Sequence, residues 1–263
     1  MIIIGEKLNS SIPKTLKALN GRDSAYLTGL IKRQAAAGAH YLDINTALTG
    51  ADETENMLWL IRLVIENSGC GIMIDSPNPD VIRRCVDSAE DRPLIINSIS
   101  IDDEYDELIE IAGRCGAGLV CLPMKGNKTP HTTAERLQNA QELTAKLRGA
   151  GIHDDAIYID VLVEAIASND GAALAVLNTI TSVKECCPGV KTICGLSNVS
   201  FGLPRRAKLN GAFLSMAMQN GLDSAILDIT SEEIRDALTA SYALLGNDEY
   251  CMGYIGYCRS IMK

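Results

Sequence analysis

No run of about 18 consecutive apolar residues occurs in the chain, so no segment is long enough to cross a bilayer as a helix. Aromatic residues are scarce at 4 %, and the formal net charge is -9. Few rings leave little platform for base stacking, and an acidic surface repels phosphate backbones, so nucleic acid is excluded as a partner. The histidines are His40, His131 and His153; they are scattered and form no HExxH pair. The nine cysteines include no CxxC spacing. Several lie in apolar runs, as Cys121 does in Leu119-Val120-Cys121-Leu122, and read as reduced, buried thiols. Met1-Ile2-Ile3-Ile4-Gly5 has no basic n-region and too short an apolar run for a secretory leader. A cytoplasmic protein with no resident metal is expected, although a carboxylate-rich site leaves magnesium open.

What the chain does have is alternation. Over 263 residues, 47 % of them hydrophobic, short β-like runs alternate with longer amphipathic stretches. The strands expected are Ile2–Ile4, Tyr41–Ile44, Ile72–Ile74, Leu94–Ile96, Leu119–Leu122, Ile157–Ile159, Thr192–Leu196 and Ser224–Leu227. They are apolar and often β-branched, as strands covered on both faces are. Helices are expected over Ala25–Ala37, Glu53–Glu66, Asp80–Ala89, Asp106–Arg114, Thr133–Leu147, Asp170–Cys187, Asn210–Asn220 and Glu232–Leu245. Asp23 and Thr230 or Ser231 read as N-caps, and Gly38, Gly116, Gly151 and Gly221 as the glycines that end helices. Eight βα units without a linker predict one (β/α)₈ TIM barrel over residues 1–263. A doubly wound sheet usually carries a glycine-rich loop after its first strand. Here that loop reads Gly5-Glu6-Lys7-Leu8-Asn9. The Tyr250–Lys263 segment is left open: it packs across the barrel or reaches a neighbouring subunit.

Nearly every expected strand runs into a polar residue: Glu6 and Asn9, Asp43 and Asn45, Asp75, Asn97, Lys125, Asp160, Asn198 and Asp228. In a parallel barrel these ends converge on one mouth. Carboxylates only accept hydrogen bonds, whereas carboxamides donate and accept. A fused heterocycle with an amino group, ring N–H groups and a carbonyl, such as a pterin, presents that mixture along one edge. The bland counterpart is that individual residues cap helices or satisfy loop backbone.

The motifs Gly5-Glu6-Lys7-Leu8-Asn9, Leu42-Asp43-Ile44-Asn45 after Gly38-Ala39, Ile74-Asp75-Ser76, Ile96-Asn97-Ser98, Tyr158-Ile159-Asp160 and Gly195-Leu196-Ser197-Asn198-Val199-Ser200-Phe201-Gly202-Leu203-Pro204 occur in that order, the last being the most specific. In this the chain resembles the pterin-binding methyltransferases: the methyltetrahydrofolate:corrinoid/iron–sulfur protein methyltransferases, the folate domain of cobalamin-dependent methionine synthase, and the tetrahydrofolate methyltransferases of demethylase systems. The resemblance implies a dihydropteroate-synthase-like barrel that binds tetrahydrofolate or 5-methyltetrahydrofolate. It places Asp75, Asn97 and Asp160 on the pterin edge, Asn198 at the N5 nitrogen that carries the methyl group, and Gly195 and Ser197 in the same loop. Arg205 and Arg206 either meet the folate glutamate tail, meet a partner, or are solvated. One departure is visible: Val161 follows Asp160 where many members have proline.

The chain has no Asp-x-His-x-x-Gly cobalamin motif, so the resemblance implies a corrinoid brought by a separate protein. It also implies a homodimer. Three alternatives stand beside this reading. A dihydropteroate synthase-like enzyme would need a late Arg-x-His, which is lacking. A Schiff-base aldolase would use Lys125, and a folate-binding module would not turn over.

Overall fold

The computed structural model describes residues 1–101, 105–126, 128–130 and 132–262; His131 and Lys263 lie outside them. Eight strands pair in parallel and in chain order: β1 (Ile2–Asn9), β2 (Tyr41–Asn45), β3 (Gly71–Asp75), β4 (Leu94–Ile99), β5 (Gly118–Cys121), β6 (Ile157–Asp160), β7 (Lys191–Gly195) and β8 (Ser224–Leu227). β8 returns to pair with β1 and closes a barrel. The helices are α1 (Pro13–Asn20), α2 (Ser24–Ala36), α3 (Glu53–Asn67), α4 (Pro79–Cys85), α5 (Asp106–Cys115), α6 (Thr133–Gly149), α7 (Ala172–Cys186), α8 (Arg206–Gln219), α9 (Glu232–Leu244) and α10 (Met252–Ile261). The expected TIM barrel is the observed fold.

The period-2 alternation of strands explains how one sequence serves two cores. Outward residues such as Leu42, Ile44, Ile72, Ile74 and Ile96 pack on the helices. Inward residues Ile4, Met73, Ile95, Val120, Tyr158 and Ile193 form a separate cluster inside the barrel. At its N-terminal end, large rings meet glycines. A Cβ on Gly71 would fall 2.5 Å from the Tyr41 ring, and one on Gly118 would fall 2.7 Å from that of Tyr158. The two glycines are the small partners that let two tyrosines plug that end.

Local signals hold at several helix ends. The Asp23 side chain accepts from the Tyr26 amide at 3.0 Å. Gly38, Gly116, Gly151 and Gly221 all have positive φ, which turns the chain back toward the sheet at little steric cost. Ser231 stands at the N-cap position of α9 but makes no side-chain cap bond, while Thr230 Oγ1 donates to Asp228 instead. Thr132 forms a capping box with Glu135 that the sequence reading passed over.

Several boundaries differ from expectation, β4 among them, which runs on to Ile99. β1 runs on to Asn9 through a register shift between Gly5 and Leu8, so Glu6 and Asn9 lie within the strand. α4 stops at Cys85, and Val86–Ala89 tightens to a 3-10 turn. β7 ends at Gly195, because Leu196–Ser200 also winds into a 3-10 turn. α8 begins at Arg206, four positions before Asn210. Helices α1 and α10 were not anticipated; α1 opens on Pro13, whose fixed φ suits a first helical position.

A candidate active site at the barrel mouth

The inward alternation continues toward the C-terminal ends of the strands, where side chains become polar. Asn45, Asp75 and Asn97 occupy matching register positions on β2, β3 and β4. Asn45 Nδ2 donates to Asp75 Oδ2 at 2.9 Å. Asn45 Oδ1 accepts from Ser10 Oγ at 2.9 Å and from the Ala47 amide at 3.2 Å, which fixes which way the carboxamide faces. Among the described residues, Asn97 Nδ2 makes only a long contact of 3.8 Å to Met73 Sδ. Below the row, Asp43 faces inward in mid-strand and is buried, with Oδ1 unpartnered. Asp43 lies within β2, as the expected strand Tyr41–Ile44 has it, one register step deeper in the barrel than Asn45 and Asp75.

This part of the mouth encloses a cavity of about 750 Å³ lined by Asn9, Asn45, Asp75, Ser76, Ser98 and Tyr105, among others. That size suits a drug-sized heterocycle. A second hollow of about 220 Å³ adjoins Glu6, Lys7, Ser197, Arg206, Asn210 and Asp228. There Ser197 Oγ donates to Glu6 Oε1 at 3.0 Å, and Lys7 Nζ pairs with Asp228 Oδ2 at 2.6 Å.

Asn198 is on the 3-10 turn after β7 and is exposed. Its carboxamide has no hydrogen-bond partner among the described residues, and its Nδ2 folds back over Gly195. Arg206 anchors that turn. Its Nη2 donates to the Ser197 carbonyl at 2.5 Å, its Nε to Ser200 Oγ at 3.1 Å, and its guanidinium lies 5.9 Å from the Phe201 ring centroid. Arg206 is therefore not a freely solvated arginine. Arg205 is exposed, with φ 52° just before α8. Lys125 stands half exposed in an ion pair with Glu142 at 2.7 Å. Its ammonium is engaged by a carboxylate of α6 rather than set among the inward polar row, which is not the geometry a Schiff-base aldolase needs.

Burial sets the electrostatics of the mouth. It pushes the Asp75 carboxyl up to about 6, with Asn45 opposing the shift and the charge of Glu53 adding to it. Asp160 also rises to about 6 through burial, opposed by the Leu162 amide and by Arg136. Asp43 is raised well above the usual carboxylate range by burial and then by the charge of Asp75. Glu6 is raised by burial, against the hydrogen bond from Ser197. Carboxyls raised by burial at the ends of neighbouring barrel strands mark a candidate functional site. Among the described residues no three His, Cys, Asp or Glu side chains gather as metal ligands.

Residues 7–228 match the pterin binding enzyme family. The chain belongs to that family. It is 32 % identical over 257 residues to the methylcorrinoid:tetrahydrofolate methyltransferase of Eubacterium limosum, covering 97 % of this chain and 94 % of that one. Like that relative, this member of the family is an enzyme. It is 28 % identical over 241 residues to methionine synthase of Mycobacterium tuberculosis, covering 86 % of this chain but 20 % of that much longer one. The barrel superposes on Xanthomonas albilineans dihydropteroate synthase with 4-aminobenzoic acid at a TM-score of 0.70, covering 93 % of this chain and 92 % of that one, at 20 % identity. At that identity the likeness is one of fold.

Several supporting residues escaped the sequence reading. Ser10 orients Asn45, and Glu53 accepts from Ser76 Oγ at 2.5 Å beside Asp75. Asn210 reaches Ser197 Oγ at 3.5 Å from within α8. Arg136 is buried on the inner stripe of α6. Only Arg136 carried a signal: a charge at a position where helical spacing calls for an apolar residue.

Proposed function

We propose that this enzyme moves a methyl group between the N5 nitrogen of tetrahydrofolate and the cobalt of a corrinoid carried by a separate protein. One observation carries the reading. The inward row Asn45–Asp75–Asn97, with Asp160 at the end of β6, offers acceptors and donors in the mixture a pterin edge requires, beside a cavity of fitting size. The full-length likeness to a methylcorrinoid:tetrahydrofolate methyltransferase supports the same chemistry.

The residues then divide the work. Asp75 and Asp160, ionised, accept from the ring N–H and amino groups, and Asn97 adds a carboxamide that donates or accepts. Asn45 orients Asp75 within the row, Asn9 lines the cavity beside it and Asp43 lies beneath, while Glu6 and Ser197 tie β1 to the turn bearing Asn198. Asn198 hydrogen-bonds N5, whose charge changes as the methyl group leaves or arrives. A preorganised donor at such an atom typically contributes about 10²–10³ in rate. When docked, the corrinoid supplies a cobalt centre that gives or takes the methyl group. Leu48 and Phe201, 62 % and 69 % exposed, stand on the loops after β2 and β7 as apolar rim contacts for so large a ligand. Arg205, exposed just before α8, is left for either the folate tail or the partner.

The reading extends to the whole of residues 1–263 acting as one domain, to a cytoplasmic setting, and to a homodimer. No helix among the described residues is long and apolar enough to cross a membrane. The exposed apolar side chains of Leu244, Tyr250, Met252 and Met262 at and around α10 favour self-association. The experiment is calorimetry with tetrahydrofolate followed by a methyl-transfer assay with methylcobalamin. Binding at micromolar concentration and turnover support the function. Absence of binding contradicts it, and binding without turnover by any corrinoid leaves a folate-binding module.

A further inference from the structure

Arg136 on α6 is 1 % exposed, in a helical stripe otherwise made of Ala140, Leu143, Thr144 and Leu147. A buried guanidinium persists only where its donors are matched, so its partners are informative. Nη1 donates to the carbonyls of both Val161 and Leu162, each at 3.0 Å. Nε donates to the Pro130 carbonyl at 3.3 Å, and Nη2 pairs with Glu164 Oε2 at 2.7 Å. All but one of these partners belong to the four residues after Asp160.

That segment is held in an unusual shape. Leu162 has φ 55°, a left-handed conformation that a leucine rarely adopts. In it, the Leu162 amide donates back to Asp160 Oδ1 at 2.7 Å. Asp160 Oδ2 has no partner among the described residues. The fork of Arg136 grips the carbonyls of Val161 and of the residue after it.

We propose that Arg136 is a positioning residue for the folate. It locks the turn after β6 so that the Leu162 amide fixes one oxygen of Asp160 and leaves the other for the ligand. The inference rests on the reading of Asp160 as a pterin-binding carboxylate. The charge of Arg136 also favours the ionised acceptor.

The test is a double-mutant cycle read by calorimetry with tetrahydrofolate, on wild type, Arg136→Met, Arg136→Lys, Asp160→Asn and the paired variants. A hydrogen bond to a charged acceptor typically carries about ten- to hundred-fold in affinity. Arg136→Met is expected to weaken binding by at least about ten-fold, with the rate at saturating folate changed by less than about three-fold. Arg136→Lys, which keeps the charge and one donor, recovers part of the affinity. Because Arg136 acts through Asp160, the double variant binds no more weakly than Asp160→Asn alone. Unchanged affinity in Arg136→Met, or losses that multiply in the double variant, overturn the role. Should Arg136→Met lack a cooperative melt, the cycle built on Arg136→Lys decides by the same criterion. A wild type that does not bind folate, or an Asp160→Asn that binds like wild type, overturns the site reading itself and this proposal with it.

Discussion

The carboxamide nitrogen of Asn198 lies 3.0 Å from the point a Cβ on Gly195 would occupy. Gly195 has φ -76°, which any residue adopts, so its missing side chain serves the neighbour rather than the backbone. Asn198 is thus seated over the last residue of β7 at the barrel rim.

Gly195→Ala should leave the fold nearly as stable, since the crowded group is the free end of an exposed side chain. It should also displace that carboxamide by a few tenths of an ångström. A 1 Å misplacement of a reacting group can cost about 10² in rate. The expected outcome is a fall of about ten-fold in methyl transfer with folate affinity and melting temperature close to wild type, measured by stopped-flow mixing, calorimetry and thermal unfolding.

Asp75 and Asp160 both titrate near 6 in the folded protein, above the 3.8 of an unperturbed aspartate. The folded chain therefore holds protons that the unfolded chain releases. The free enzyme loses stability as pH rises from 3.8 through 6, by up to about 3 kcal/mol for each such group. Asp160→Asn and Asp75→Asn should each raise the melting temperature of the unliganded enzyme at pH 7.5, by roughly 2–8 °C for about 1–2 kcal/mol. Their advantage should vanish at pH 4.

Folate binding should show the opposite dependence. The ionised carboxylates are the better acceptors, so affinity should fall as pH drops below about 6, by up to tenfold per unit for each carboxylate engaged. Calorimetry between pH 5 and 7.5 checks this. An Asp75→Asn/Asp160→Asn double variant should bind weakly at every pH, with the slope lost.

Among the described residues, Ser197 Oγ is the hydrogen-bond donor to Glu6, whose carboxyl is largely buried. Ser197→Ala should cost about 1–2 kcal/mol of stability by leaving that group short of a partner. Glu6→Gln in the same background should restore much of it, as chemical denaturation would report.

The barrel was legible because its strands are short apolar runs at regular spacing, and the polar set at the mouth because each member sits at or near an expected strand end. Depth was not legible. Asp43 and Asp75 look alike in sequence, yet the pleat puts one a full step below the other and leaves its Oδ1 unpartnered. Lys125 matched the spacing of a site residue, but the chain beyond Cys121 carries it out to Glu142. The start of α8 lies four residues before the expected Asn210: the helix begins at Arg206 and uses that side chain to brace the turn before it. Arg136 and Asn210 act across elements far apart in sequence, and such pairings become visible only once the barrel closes.

Asn198→Ala offers the most direct measurement of the central claim. Single-turnover methyl transfer at saturating folate should be compared with folate affinity in the same variant. If Asn198 acts on N5 chiefly in the transition state, the rate falls by on the order of 10²-fold or more while the dissociation constant changes by less than about ten-fold. A dissociation constant that rises by about 10²-fold with the bound rate unchanged would contradict the account and reduce Asn198 to a residue that only seats the substrate.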